Sequence, residues 1–406
     1  MVNTSFRDAF AGEFALSPLT SISQTLTPEL RSQHQQKIRH ELANSIYGHV
    51  PPPPDQISVA GQQFAGENII RLSIKMQVAK RQFDVDAALW LPPGKSGPFP
   101  LICGLDFLGP VGIFSSPEYP IDPQARVSSR PIYGGKRNML EETMRGVSAY
   151  RWPIDLFHRA GFAVLVSCYG SWVPDDVGSW NTYGVAPLLD QAVDTAPGAI
   201  SLWAWAIHRL LDAAATIEQI DMTRVCVGGH SRLGKAALWA AANDLRIGAV
   251  LANNSGCGGA APSAHPVGET LAQMKERFPH WTVPNKQPLA GDLPLDQHHL
   301  LSLIAPRAVY LGQAQDDLWA DPMGSYLALQ AAERFWPGEG REPIAWPKPE
   351  EVWQTCCAVH RGAVGYHLRP GGHDLLPYDW CRFLEFLATQ DWMAHQSAES
   401  AGRLPA

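Results

Sequence analysis

The feature that most constrains this chain is a set of short, continuous apolar runs separated by longer stretches. They are Phe99–Phe107, Phe162–Cys168, Arg224–Gly228, Gly248–Ala252 and Ala308–Leu311. Runs of this kind read as strands buried on both faces, which means a parallel sheet covered by helices. One covering helix is legible from Leu202, Trp203, Ala206, Ile207, Leu210 and Leu211, which recur at helical spacing. Between Asn68 and Leu91 the pattern changes to strict alternation (Ile70, Leu72, Ile74, Met76, then Phe83, Val85, Ala87), as in antiparallel strands with one wet face. Residues 27 to 47 read as a helix, with Thr27 as cap, Pro28 in the first turn and Gly48 as the stop. Pro51 to Pro54 then form a stiff linker. The expected organisation is an N-terminal helical arm and linker over residues 1–60 and a single α/β domain over 61–395.

Inside this framework one segment carries chemistry. Val225-Cys-Val-Gly-Gly-His-Ser231-Arg232-Leu-Gly234-Lys235 runs from a buried strand through a glycine pair to a serine and then into a helical pattern. This is the setting of a nucleophile elbow, in which a sharp strand-to-helix turn presents the serine hydroxyl, and it predicts the α/β-hydrolase fold, a three-layer α/β/α sandwich on a mostly parallel sheet. Gly229 supplies the small residue two before the serine, whereas Leu233 stands two after it and Gly234 follows one later, so the elbow is a variant. The bland alternative is a tight turn with an incidental serine. The amides at the start of the following helix favour negative charge developing on a substrate oxygen.

A serine hydroxyl is a weak nucleophile and needs a base, which in this fold comes last in the chain. His373 lies in the loop Arg369-Pro-Gly-Gly-His-Asp374 after an apolar strand; His367, within that strand, reads as structural. The acid is expected after the run that ends at Leu311, where Asp316, Asp317 and Asp321 compete. Asp317 is the first choice and Asp316 the second, while Asp321, just before Pro322, reads as a helix cap.

The chain resembles the glucuronoyl esterase family and its bacterial acetylxylan esterase-like relatives. The resemblance is carried by Arg145-Gly146 with Arg151-Trp152, the elbow, Asn254 to Ala261, Gly268-Glu-Thr270, Phe278-Pro-His-Trp281, Asp296-Gln-His298, Ile304 to Arg307, Asp317 to Pro322 and Gly371 to Asp374. It implies a serine esterase acting on uronic-acid esters. In that family the arginine after the nucleophile, here Arg232, helps hold the oxyanion; the positions of Lys235 and Glu269 contact the sugar, and that of Trp319 packs against the uronate. Three positions depart from the fungal pattern: Asn254 replaces the acid of fungal members, Arg277 replaces a glutamate that contacts the sugar, and His230 and Asp374 replace a disulfide. These departures keep open a second reading, an acetyl(xylan) esterase or general carboxylesterase on small esters, and a third, a sugar-binding relative without catalysis.

Composition narrows the rest. Of 406 residues 45% are hydrophobic, ample for a large core, and the net charge of −7 with no basic block argues against nucleic-acid binding. No apolar stretch reaches the roughly 18 residues of a membrane span. The N-terminus lacks a basic start followed by an apolar run, and the seven scattered cysteines, among them Cys103 and Cys226 in apolar runs, read as buried thiols. A cytoplasmic location is therefore expected, with a secreted or periplasmic one as the alternative should a leader precede this sequence. No zinc spacing is present, and no metal or cofactor is expected. The expected partner is a small-molecule or carbohydrate ester.

Overall fold

A computed structural model describes residues 5–10, 27–63, 68–127, 138–189, 196–283, 295–336 and 345–390. Among the described residues ten strands form one sheet: β1 (Gln56–Gln63), β2 (Ile69–Val78), β3 (Arg81–Trp90), β4 (Phe99–Asp106), β5 (Ala163–Cys168), β6 (Ile220–His230), β7 (Ile247–Asn253), β8 (Ala308–Ala314), β9 (Ala358–Arg361) and β10 (Val364–Arg369). Their order across the sheet is β1-β2-β3-β5-β4-β6-β7-β8-β10-β9. From β5 to β10 each neighbouring pair is parallel. The pairs at β1–β2, β2–β3, β3–β5 and β10–β9 are antiparallel.

Burial follows pairing. Every residue of β4, β5, β8 and β10 is buried, whereas β2 alternates and the edge strand β1 is mostly exposed. Helices α1 (Pro28–Leu42), α2 (Ala199–Ala214), α3 (Arg232–Asn243), α4 (Leu271–Arg277), α5 (Pro322–Ala332) and α6 (Pro377–Leu387) supply the covering layers. Successive residues of β6 face opposite layers. A side chain on Gly228 would strike Trp380 of α6, and one on Gly229 would strike the Leu233 carbonyl of α3. Trp380 packs edge-on against Phe157 and beside Trp152. This is the α/β-hydrolase sandwich.

The N-terminal helix starts as expected, Thr27 Oγ1 accepting the Leu30 N–H at 3.3 Å. It widens into a π-helical turn over Ala43–Tyr47 and stops at Gly48, whose φ is +79°. It lies against the body: Gln35 donates to the Ser302 and Ala305 carbonyls, Arg39 to that of Ala242, and Tyr47 stacks on Trp239 of α3. β1 spans the boundary expected at residues 60 and 61, and the expected end at 395 lies outside the described residues. Among the described residues no helix is long and apolar enough to cross a membrane, and no group of three His, Cys, Asp or Glu side chains could hold a metal ion. The seven cysteines are free thiols.

The core also buries histidines. Burial, with the neighbouring His298, pushes His299 down to about 3 from its ordinary 6.5. An unfolded chain takes up a proton there near 6.5 while the folded chain stays neutral, so this contribution is complete above 6.5 and is lost as the pH falls toward 3. The slope is at most about 1.4 kcal/mol per pH unit. Urea unfolding at pH 7 and pH 5 is expected to show wild-type stability falling more steeply than that of His299→Gln. Parallel losses in the two proteins would remove His299 from the acid limb.

Candidate active site

β6 ends at His230, and α3 begins one residue after Ser231, so the turn between them is a single residue wide. Ser231 sits there at φ +57°, ψ −127°, a conformation that L residues rarely adopt, and its N–H is held by the Asn253 carbonyl at 2.8 Å. The turn closes only because residue 229 lacks a side chain: a Cβ there would lie 2.1 Å from the Leu233 oxygen. Gly234 meets the same constraint one residue later, its missing Cβ facing the Gly229 carbonyl at 3.0 Å and the Ser255 side chain at 3.1 Å. This close approach accounts for the shifted second glycine.

The loop after β10 brings His373 Nε2 to 2.9 Å from Ser231 Oγ. On its other side, His373 Nδ1 lies 2.5 Å from Asp317 Oδ2. The loops that carry Asp317 and His373 are joined through their backbones, Gln315 N–H donating to the Arg369 carbonyl and Asp316 N–H to that of Gly371. The three competing carboxylates separate cleanly. Asp317 is 5% exposed and faces the imidazole. Asp316 is exposed. Asp321 is buried, caps α5 through Gly324 N–H at 2.9 Å and bonds His265 at 2.7 Å. His367 is fully buried, its ring bonded to Asp379, which also holds Arg369, and to the Tyr310 hydroxyl.

Asn254 braces the site. Its Oδ1 accepts the Ala314 N–H at 2.9 Å and its Nδ2 donates to the Asp374 carbonyl at 3.0 Å, tying the start of the acid loop to the base loop. The positions of the fungal disulfide hold two separate anchors. The His230 ring, 4.6 Å from that of His373, bonds Asn253 Oδ1, and burial keeps it neutral, well below the usual histidine range. Asp374 pairs with Arg151 at 2.7 Å and accepts from the Tyr150 hydroxyl at 2.8 Å.

In front of the serine is a cavity of about 240 Å³ lined by Ser231, His373, Asp317, Arg232, Lys235, Glu269 and Trp319, together with Asn254, Phe278 and Trp281. All seven candidates therefore share one cleft. Lys235 Nζ donates to the carbonyls of Ser255, at 2.7 Å, and of Cys257, and stands 3.8 Å from Glu269 Oε2. Burial lowers its pKa while Glu269 opposes that shift. Glu269 Oε1 is buried with no hydrogen-bond partner among the described residues. Trp319 is 41% exposed at the rim, and Arg277 lies 4.7 Å above its ring. Arg232 is buried among the rings of Phe107, Phe278 and Trp281 and paired with Asp175. Asp175 and His280 were not among the sequence candidates. Val-Pro-Asp-Asp, around Asp175, reads as an ordinary turn.

Comparisons with known proteins point the same way. The family model described as fungal glucuronyl esterase matches residues 191–340. A carbohydrate esterase from an unknown prokaryotic organism is 33% identical over 357 residues, covering 84% of this chain and 80% of that relative. A 4-O-methyl-glucuronoyl methylesterase of Cerrena unicolor is 33% identical, over 47% of this chain and 44% of its own length. Among solved structures, a promiscuous CE15 esterase from a marine bacterial metagenome superposes with a TM-score of 0.79 at 28% identity, covering 93% of this chain and 98% of that one. A glucuronoyl esterase from Solibacter usitatus also gives 0.79 at 28% identity, covering 94% and 98%. With a relative of this identity spanning most of both sequences, and a cleft at the end of β6 that holds serine, histidine and carboxylate in line, the chain belongs to the glucuronoyl esterase family of carbohydrate esterases.

Proposed function

We propose that this chain hydrolyses esters of uronic acids through an acyl-enzyme on Ser231. The observation that carries the reading is the line from Asp317 through His373 to Ser231, opening on a cavity whose wall holds Lys235 and Glu269. His373 Nε2 takes the hydroxyl proton as Ser231 Oγ attacks the ester carbonyl. The Arg232 backbone N–H and guanidinium face the oxyanion, where a charge-assisted donor is roughly twice as strong as a neutral one. His373 then protonates the leaving alcohol, and water activated by the same imidazole releases the acid. Asp317 accepts the Nδ1–H and stabilises the imidazolium. No step calls for a metal or cofactor.

The acyl pocket suits a hydroxylated ring. A buried carboxylate oxygen without a donor is costly, and a sugar hydroxyl supplies one. Lys235 spends two of its three donors on backbone carbonyls, leaving one for Glu269 or for substrate. Glu269→Gln is expected to lower kcat/KM on a methyl glucuronate ester about 10-fold, in line with a hydrogen bond to a charged group, while leaving hydrolysis of an aryl acetate unchanged. Equal losses on both substrates would remove Glu269 from sugar recognition.

A second reading, a deacetylase or general carboxylesterase on small esters, is favoured by Arg277. It covers Trp319, the ring that the family resemblance assigns to the uronate. Assaying a methyl glucuronate ester, an acetylated sugar and an aryl acetate side by side separates the two readings: uronate specificity requires the first to have the highest kcat/KM. Failure to react with a fluorophosphonate would favour the non-catalytic reading, because only an activated serine is labelled.

A further inference from the structure

We propose that Asp175 is a positioning residue that aims the Arg232 guanidinium at the ester oxygen. The proposal rests on the reading of Arg232 as an oxyanion donor and extends it to a residue 57 positions away in the chain.

Arginine is a poor choice for a fixed donor unless something holds it. Its side chain carries about 2 kcal/mol of rotamer entropy, and its charge is costly to bury without an anion beside it. Here the guanidinium is buried, with its carbon 4.8 Å from the Trp281 ring centroid, 5.3 Å from that of Phe278 and 5.7 Å from that of Phe107. These rings confine the group to a slot without choosing where along the slot it sits or which N–H points at the cavity. The anion paired with it is Asp175, whose side chain is 0% exposed.

Asp175 is itself held from both sides. Its Oδ2 takes Arg232 Nη1, with the Tyr169 hydroxyl 3.5 Å away. Its Oδ1 accepts Trp281 Nε1–H at 2.7 Å and His280 Nε2–H at 3.1 Å. Two of these donors belong to the segment after α4 whose aromatic rings line the slot, so one carboxylate joins the elbow, the loop after β5 and the far wall of the cleft. His280 does not compete for the charge. Burial, reinforced by Arg232, pushes it down to about 4, so it offers Asp175 a neutral N–H.

Asp175→Asn tests this without changing shape. An amide has one acceptor oxygen, and its NH₂ faces donors that a carboxylate would accept, so Arg232, Trp281 and His280 cannot all keep their partner. The expected result is a fall in kcat of about 10²-fold on a methyl glucuronate ester, the cost of one oxyanion donor, with KM within about 3-fold of wild type. Arg232→Ala is expected to lose at least as much. The double variant is expected to be no slower than Arg232→Ala alone, because a residue that acts through another adds nothing once the other is gone. Melting temperatures are recorded for each protein, and Asp175→Glu, which keeps the charge but moves it, takes the place of the amide if that variant does not fold. Multiplying losses in the double variant, or normal turnover in Asp175→Asn beside an impaired Arg232→Ala, would overturn the proposal alone. Normal turnover in Arg232→Ala would overturn the oxyanion reading and the proposal with it.

Discussion

Ser231→Ala is expected to lower kcat on a uronic-acid ester by on the order of 10⁵ to 10⁶-fold while leaving the fold unchanged. The hydroxyl is the only group at the elbow placed to attack, with His373 Nε2 2.9 Å away to take its proton. The residual rate comes from the remaining oxyanion donors and from binding. The substitution is structurally mild for a specific reason. The turn imposes φ +57° on residue 231 whatever its identity, and serine and alanine share the Cβ that makes this angle costly, so the strain is the same in both. The backbone bond from residue 231 N–H to the Asn253 carbonyl also survives. His373→Ala is expected to cost a similar factor, and the double variant little more, because the two groups act as one unit. Steady-state assay of the purified variants, with melting temperatures alongside, checks this. Turnover within 100-fold of wild type in Ser231→Ala would remove the acyl-enzyme.

Asp317→Asn is expected to lower kcat by on the order of 10⁴-fold. The carboxylate holds Nδ1–H at 2.5 Å, which leaves Nε2 free of its proton and facing Ser231. An amide in the same place can turn its NH₂ to Nδ1 and impose the wrong tautomer, and it carries no charge to stabilise the imidazolium. The neighbouring carboxylates make internal controls. Asp316→Asn is expected to be silent, since that residue is exposed and contributes its backbone N–H. Asp321→Asn is expected to retain turnover and lose roughly 1–2 kcal/mol of stability, because Asp321 caps α5 and pairs with the buried His265. If Asp317→Asn and Asp321→Asn lost turnover equally, the acid would stand unassigned.

The replacement of the fungal acid by Asn254 bears directly on this contrast. The amide's oxygen and nitrogen are committed to Ala314 N–H and to the Asp374 carbonyl, so Asn254 holds the acid and base loops in register. Asp317 is then the carboxylate that faces His373, and the position to which the family resemblance assigns an acid in fungal members carries a brace in this chain.

Much of this is legible in the amino-acid sequence. Each of the five apolar runs falls on one of the strands β4 to β8, because a strand buried on both faces can only be written as a continuous apolar run. The errors lie at the ends and edges. β6 begins at Ile220 and β8 continues to Ala314, beyond the apolar stretches, and β1 carries too few apolar residues to announce itself because it is a mostly exposed edge. The placement of Ser231 at the turn and of His373 in its loop was readable because local geometry demands their neighbours: a glycine where the turn closes on itself, and a glycine-rich loop after a buried strand.

The family resemblance supplied Arg232, Lys235, Glu269 and Trp319, while the sequence by itself determined the sheet's parallel core, the elbow and the glycine-rich loop that carries His373. Those features depend on periodicity and on steric limits acting within a few residues. Only the tertiary structure decided which of the three competing aspartates meets the imidazole, because a loop side chain's direction follows from backbone angles such as the φ of −97° at Asp317 and +49° at Asp321. Only it could bring Asp175 to Arg232. A buried cation needs an anion close by in space, and the chain supplies that anion from another loop, at a separation that no local pattern records.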